Sequence, residues 1–589
     1  TRQRITCTLP PAEAPAIQAH TAMLRQILVS ILANAIDVLP QGGTIDDGTG
    51  GLSGSSPNAT GVAITGSQPF TLNNAGTVNG SHVSPGGAST INNLAGGVLN
   101  TGATVDLGTA GRLNNAGTIN PGGKGRILTT NVTGNYVQTG GTLAVDADHA
   151  TGKSDRLEVT GDVALGGKVA ISSPTLTNDP VNILHGSGEV ALDPALVFGR
   201  SYVLSYTPKV TDGAVQAVPK ADFHGADGSL AGNRQAVAQH LQDAFDRGDD
   251  TLAKGLAGLA TDQDAGRFGD RLDSLTGETL AALGGLQMQS GRFFRSGLFS
   301  CPTFAGDGTL QQEQDCGWGQ VTGGYIDQQG SGSDLGYDVK SLTTQFGGQK
   351  QVAPGWFVGG SIAYQRNDLE SDHNLTDIDG DGVLAGLVLK RQTGPLTLSA
   401  AADAGYGWYD SKRQIDLATG TQNAKGSPEA GNAGLHAKAS YQLPFDRWYL
   451  KPSFELGADY VRTGSFKEHG ASPFDLDVDS ADKVVLSATP GIELGGRVDL
   501  AGGSILKPHL DLGLTAATAN NWQPDARFRN ETGGDSFRIE SSNPNLIGHL
   551  GLGIDMLTTA SVDIKLQYGL DLADGYSANT GMLKVAYRF

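Results

Sequence analysis

No stretch of the 589 residues approaches the roughly 18 consecutive apolar residues that a membrane-spanning helix requires. Cysteine is scarce, at three residues, which excludes a disulfide-built scaffold. Aromatic residues make up only 6% and hydrophobic residues 38%, lean for one globule but normal for repetitive β structure with many turns. Basic residues are outnumbered, 41 to 60, and the net charge of −19 repels phosphate backbones, so nucleic acid is not expected as a partner. What the chain has in excess is glycine, 86 residues, which fits a solenoid or barrel better than an α/β enzyme. A closed β-barrel is also the membrane architecture whose signal hides in alternation rather than in long apolar runs.

Between residues 60 and 125 the sequence repeats: "FTLNNAGTVNGS" from Phe70, "STINNLAGGVLNTG" from Ser89 and "GRLNNAGTINPGG" from Gly111. The Asn-Asn pairs at 73/74, 92/93 and 114/115 recur at solenoid spacing. Short alternating runs separated by Gly and Asn, which tolerate tight corners, predict rungs of a parallel β-helix with asparagines stacked at equivalent corners. A disordered low-complexity tract is the alternative, but the apolar residues keep register inside each repeat. From Tyr136 to Ile171 the pairs Leu143/Val145, Leu157/Val159, Val163/Leu165 and Val169/Ile171 continue the period-2 pattern with better hydrophobic filling.

From Ser229 the period becomes helical. Val237, Leu241 and Phe245, then Leu252, Leu256 and Leu259, fall at helical spacing with a break near Gly248 and Asp250, and a second helical stretch is predicted over Asp270 to Leu298. Its end, "GGLQMQSGRFFRSG", is small and polar, suited to threading a polar channel. Beyond Trp318 long alternating strands return: Leu396, Leu398, Ala400, Ala402, Ala404, Tyr406 and Trp408 share one face against Thr397, Ser399 and Asp403. Trp448, Leu450, Phe454, Leu456 and Tyr460 likewise oppose Lys451, Ser453, Glu455 and Asp459. Strands of about ten residues with one apolar and one charged face predict a transmembrane barrel of roughly a dozen strands, whereas sandwich strands are usually about 5 to 6 residues. "KRQTGPLTL" reads as a short hairpin and "DHNLTDIDGDG" as a long polar loop.

The ending "GMLKVAYRF" alternates Leu583, Val585, Tyr587 and Phe589 with Lys584, Ala586 and Arg588. With the segment "SDRLEVTGDVALGGKV", "NRQAVAQHL" at Asn233, the "LDSLTGE" turn over Leu272 to Glu278 and "CGWGQVTGGY" from Cys316, residues from about 60 to 589 resemble a bacterial autotransporter of the type V secretion class. That resemblance implies a mainly all-β chain: a parallel β-helix passenger over 46–228 with an autochaperone-like end, a helical linker over 229–300 and a 12-stranded antiparallel outer-membrane barrel over 310–589. It further implies export of the passenger to the cell surface, contact with outer-membrane lipid, and help from periplasmic chaperones and the barrel-assembly machinery. No enzymatic activity or cofactor is expected, since the passenger offers no His/Asp/Ser grouping that assembles into a triad. By match, Leu583, Val585, Tyr587 and Phe589 form the assembly signal; Lys584 departs from the glycine often found there. Self-cleavage at an Asn-Asn pair in the linker is not expected, since none occurs between Ser229 and Cys301. Nothing identifies a ligand of the passenger.

Several smaller motifs have two readings. Cys301 and Cys316 flank a polar loop and either close as one disulfide or remain free thiols. "DIDGDG", Asp377 to Gly382, begins like a calcium loop, but its twelfth position is Val388 rather than Glu, so a solvated outer loop is the better reading. "RGD" at Arg247 to Asp249 matches an adhesion tripeptide but lies in the linker, and "GDSF" at Gly534 matches a lipase block without the domain that would position its partners.

The stretch "LRQILVSILANAIDVLPQGG" has an amphipathic face, Leu24, Ile27, Leu28, Ile31, Leu32, Ala35 and Ile36, which argues against a signal-peptide core starting at Met23. Residues 1–45 resemble the N-box helix of sensor histidine kinases. That likeness would place Asn34 on the nucleotide's magnesium and give Asp46, Gly48 and Gly50 the part of a second nucleotide box, but the spacing is too short to enclose ATP. A nucleotide-binding kinase fragment fused to a structural chain is therefore the alternative function, and Asn34 reads as a relic.

Overall fold

The computed structural model describes residues 43–47, 52–53 and 69–589, except 84–87, 226–227, 229, 299–301, 305, 331–333, 419, 501, 519–520, 532 and 559–560. The chain divides into two compact units: residues up to Asp227 with Leu241–Ala265, and Gly228–His240 with Gly266–Phe589.

The first unit is a parallel β-solenoid. One face is a sheet of seven strands, Gly43–Asp47, Phe70–Asn74, Thr90–Asn93, Arg112–Asn115, Asn135–Gln138, Val163–Leu165 and Val190–Leu192, every neighbouring pair parallel. Opposite it, the strand Val98–Asp106 pairs through its first half with Thr118–Pro121 and through its second half with Thr129–Thr133. The coil is therefore three-sided from that point on, with Thr142–Asp148 and Lys168–Ser172 on one branch and Arg156–Val159 and Val181–Gly186 on the other.

The repeated asparagines stack as predicted. Asn73, Asn92 and Asn114 are in register, as are Asn74, Asn93 and Asn115. In the buried row, Asn74 donates to Asn93 Oδ1, Asn93 to Asn115 Oδ1 and Asn115 to Gln138 Oε1, each at 2.8 Å. The second amide hydrogen of each asparagine goes to a backbone carbonyl, of Val98, Thr118 and Thr142 in turn. Every buried donor in the row is thus satisfied, which a polar group inside an apolar coil requires. An apolar core runs continuously through the coil, from Leu72 through Leu113, Leu143, Leu157 and Leu165 to Leu184 and Val215.

The last strands change direction. Leu204–Thr211 and Ala214–Ala221 form an antiparallel hairpin around Asp212 and Gly213, both in the left-handed region, and the second strand pairs antiparallel with Val181–Gly186. The helix α1 (Gly232–Arg247) contributes its later half to this unit, followed by α2 (Ala253–Leu259). Phe245 packs edge-on against Phe223, and Leu176 N donates to Ala253 O at 2.8 Å. The tripeptide Arg247–Asp249 is the break between the two helices: Gly248 has φ 69°, and the buried Asp249 accepts from Thr251 N at 2.8 Å, so its carboxylate is committed to the turn.

The second unit is a closed antiparallel barrel. Its strands are β1 (Cys316–Gln328), β2 (Tyr337–Ala353), β3 (Trp356–Ser371), β4 (Thr376–Thr393), β5 (Leu396–Leu417), β6 (Glu429–Tyr441), β7 (Trp448–Thr463), β8 (Ala481–Gly496), β9 (Ile505–Ala517), β10 (Leu546–Leu557), β11 (Val562–Ala573) and β12 (Tyr576–Arg588). Pairing of β1 with β12, from Cys316 opposite Arg588 to Gln328 opposite Tyr576, closes the ring and leaves no free edge. The alternation read from β5 holds: Leu396, Leu398, Tyr406 and Trp408 face outward, while Ala401, Asp403 and Tyr409 are buried inside.

The sequence DIDGDG is not a loop. Asp377 to Gly382 lies within β4, paired with β3 on one side and β5 on the other, so these carboxylates form a row along a strand and the closed turn of a calcium loop is missing. The short turn is as read, with Gly394 at φ 56° between β4 and β5, but DHNLTDIDGDG supplies only the brief link 372–375 between β3 and β4, and the long connections are 464–480 and 518–545. From the two long connections comes a separate four-stranded sheet, Phe466–Lys467, Leu476–Val478, Asp525–Phe528 and Phe537–Arg538. Phe537 of GDSF is buried in that sheet and Ser536 is exposed beside it.

The predicted helix over Asp270 to Leu298 is two helices, α3 (Ala265–Thr276) and α4 (Glu278–Leu298). Gly277 separates them with φ 66°, a conformation open to glycine at little cost, and Ser274 and Thr276 donate back to the carbonyls of Arg271 and Asp273. Apolar periodicity runs straight through this corner, which is why spacing alone reads one helix.

Candidate export channel

α4 lies inside the barrel, and its small residues explain how. A side chain at Gly284 would run into the Trp522 indole, one at Gly285 into Asn543, and one at Gly297 into Gln345. Its apolar end, Phe294 and Leu298, packs against Ala363, Leu384, Val388 and Ala401 on the inner wall, where Gly386 leaves room for both. The polar side is fixed by direct bonds: Gln287 donates to Asn432 Oδ1 at 2.8 Å, Tyr409 donates to Gln287 Oε1 at 3.0 Å, and Arg295 meets Asp459 at 2.9 Å and Asp403 at 3.4 Å. His436 Nε2 lies 3.2 Å from the same Asp459. Removing the guanidinium would leave two buried carboxylates facing each other, a strong constraint on helix position.

Beside the helix remains a cavity of about 510 Å³, lined by alternating charges. Lys507 meets Asp555 at 3.1 Å, Lys451 meets Glu493 at 3.3 Å, and Arg292 donates to His549, which is held by Asp571 at 2.7 Å. An interior that is polar and mixed in sign suits passage of a polypeptide, whose backbone amides find both donors and acceptors on the wall.

The outer surface is apolar and bounded by aromatics. Trp356, Tyr441, Phe445, Trp448, Tyr587 and Phe589 ring the short-turn end. Toward the long-loop end each phenol donates to a polar group on a neighbouring strand: Tyr325 to Asp338, Tyr364 to Asp381 and Tyr568 to Asn579, at 2.7, 2.6 and 2.6 Å. Such girdles mark the two membrane interfaces, with short turns on the periplasmic side and long loops outside. No described helix is long and apolar enough to cross a membrane.

At the long-loop end, Arg413 on β5 is fully buried between Glu468 (Nε to Oε1, 3.1 Å) and the carbonyls of Ser274 (2.6 Å) and Phe474 (2.9 Å). It ties α3 to the connection after β7. His240 of α1 bonds Glu531 and lies against Phe528 and Phe537 of the small sheet, and Arg234 pairs with Asp273 of α3. Periodicity gave no sign of these polar ties, since a rhythm of apolar residues does not say which distant segment a polar side chain meets.

The predicted site residues fall as follows. Leu583, Val585, Tyr587 and Phe589 are all on the outer face of the closing strand or at its end, with Tyr587 stacked near Phe589. Lys584, between them, points inward with its Nζ 4.2 Å from the centre of the Trp318 ring on β1, a cation–π contact that glycine would not make. Cys316 is disulfide-bonded at the start of β1; Cys301, its expected mate, lies outside the described residues. Asp46 is on the strand Gly43–Asp47, in register with Asn73, while Asn34, Gly48 and Gly50 lie outside the described residues.

Residues 317–569 match the family model described as the autotransporter beta-domain. Among solved structures, the chain is similar to the translocator domain of the autotransporter NalP from Neisseria meningitidis, with 15% identity and a TM-score of 0.41 over 53% of this chain and 98% of that one. It is also similar to the beta domain of the Bordetella autotransporter BrkA, at 17% identity and a TM-score of 0.35 over 47% of this chain and 100% of that one. The transport unit of AIDA-I from Escherichia coli matches at 15% identity and a TM-score of 0.33 over 52% and 98%. No curated protein sequence matches the chain.

Proposed function

We propose how this chain, an autotransporter whose barrel matches the autotransporter beta-domain over residues 317–569, carries its own solenoid to the cell surface. The barrel sits in the outer membrane and the β-helical passenger is exported through it. The observation that carries the mechanism is the seat of α4: the segment immediately before the barrel lies in the lumen, where a chain that had passed outward would leave its tail. Export then needs no nucleotide. A passenger kept unfolded in the periplasm folds outside, each rung stacking on its neighbour, and the folded coil does not fit back through the channel.

Within this reading, residues 46–228 are the passenger, 229–300 the linker and 310–589 the translocator. The outward side chains of the closing strand, Leu583, Val585, Tyr587 and Phe589, are the signal read by the barrel-assembly machinery, and periplasmic chaperones hold the passenger before export. We read the passenger as a display or adhesion stalk rather than an enzyme; support comes from the commitment of its buried amides to one another along the Asn74 row. The test is surface labelling of intact cells together with heat-modifiable gel migration. Labelled passenger residues and a mobility shift on boiling are expected; ATP binding with neither signal would overturn the reading.

A further inference from the structure

Between α4 and β1 the chain makes a small antiparallel hairpin, Pro302–Phe304 with Gln311–Glu313, that belongs to no wall of the barrel. Two rim glutamines serve as its missing neighbours. Gln392, at the end of β4, accepts from Glu313 N at 2.9 Å and donates to Gln311 O at 2.9 Å. Gln442, just past β6, accepts from Gln311 N at 2.8 Å and donates to Thr309 O at 2.6 Å. Each side-chain amide thus supplies the donor and acceptor that a third strand would.

The other ties reach round the same mouth. Thr309 donates to Phe445 O at 2.8 Å, Lys390 meets Glu313 at 3.0 Å, and Gln349 on β2 donates to Glu313 at 2.7 Å. Arg497, after β8, donates to the carbonyls of Gly306 and Gly308 at 2.6 and 2.8 Å and covers the Phe304 ring at 5.5 Å. Phe304 itself is seated on Tyr449, Leu557 and Ile505. The attachment points run from β2 to β10, all at the short-turn end, and Pro302, Gln311 and Glu313 line the floor of the luminal cavity that α4 leaves unfilled.

We propose that the hairpin Pro302–Glu313 is a plug that seals the periplasmic mouth of the barrel against ions and small hydrophilic solutes once export is complete. The inference rests on the membrane-barrel reading and goes beyond it. α4 blocks one side of the lumen, but the charged cavity beside it would conduct unless its floor were closed. The hairpin is the link between α4 and β1, so the seating of α4 and the closing of the rim involve one continuous segment.

The test is conductance of the purified full chain in planar lipid bilayers. Two variants are compared with the wild type: residues 303–312 replaced by a Gly-Ser segment of equal length, and the double substitution Gln392→Ala with Gln442→Ala. Several-fold higher conductance in the variants, with increased uptake of a large hydrophilic antibiotic by cells carrying them, is expected. Equal conductance of the wild type and whichever variants keep heat-modifiable migration overturns the plug. A wild type without heat-modifiable migration overturns the barrel on which it rests.

Discussion

Asp155 and His82 are both buried in the solenoid, and they oppose each other across the same pH range. Burial pushes the Asp155 carboxyl up from its ordinary 3.8 to about 7, against the pull of backbone N–H groups of Asp146 and Leu128 that bond its two oxygens at 2.8 and 2.7 Å. Burial without a ring partner among the described residues pushes His82 down from 6.5 to about 4. A raised acid binds its proton more tightly when folded, so its contribution is present at low pH and lost as pH rises from about 4 to about 7. A depressed histidine is the reverse: stability is lost as pH falls from 6.5 toward about 4. The two slopes offset in the wild type. Asp155→Asn removes one of them, so its stability relative to the wild type should improve as pH rises through this range; thermal unfolding of the full chain at pH 5 and pH 8 measures it, and an unchanged difference would refute the argument. At this scale the stacked asparagines were legible because they repeat. The roles of Asp155, His82 and Arg413 were not, because burial of a single polar residue depends on which distant segment covers it.

Elements were read well wherever an apolar rhythm ran longer than a turn, and poorly where the chain was short or polar. The strands of the barrel, 12 to 22 residues long, showed a clean alternation because one face meets lipid and the other the lumen. Asp377 to Gly382 was read as a loop because β4 continues past the apolar zone, and outside it both faces of a strand are polar. The hairpin Pro302–Glu313 left no signal, since three-residue strands carry no period. For β12 the pattern itself makes a prediction. Tyr587 and Phe589 face outward and make no bond across the lumen, so replacing both with Ala removes recognition features while sparing the wall's hydrogen bonds with β1 and β11. In cells the assembled, heat-modifiable form should fall sharply, whereas refolding of the same variant into detergent micelles should be close to wild type. Equal losses in both settings would assign these aromatics to barrel stability alone.

For the whole molecule the consequence of the fold lies in its division into a coil and a barrel with different sources of stability. Each rung of the coil is held by its two neighbours, so damage at one rung propagates along the stack. The barrel is held by a closed ring of backbone bonds and has no edge from which to fray. A chain of this kind should not unfold in one step, and two thermal transitions are expected, with the barrel persisting longer. Leu157, buried and in register with both Thr130 and Leu184, sits in the middle of the coil. Truncating such a side chain costs about 2 to 5 kcal/mol, and an aspartate there adds an unpaired buried charge. Leu157→Asp should therefore lower the first transition and leave the second, and because outward folding is what holds the passenger outside, it should also reduce surface-labelled passenger without reducing assembled barrel. If surface passenger stayed at the wild-type level while the first transition fell, folding of the coil would not be what makes export irreversible, and the driving step would have to be sought in the seating of α4.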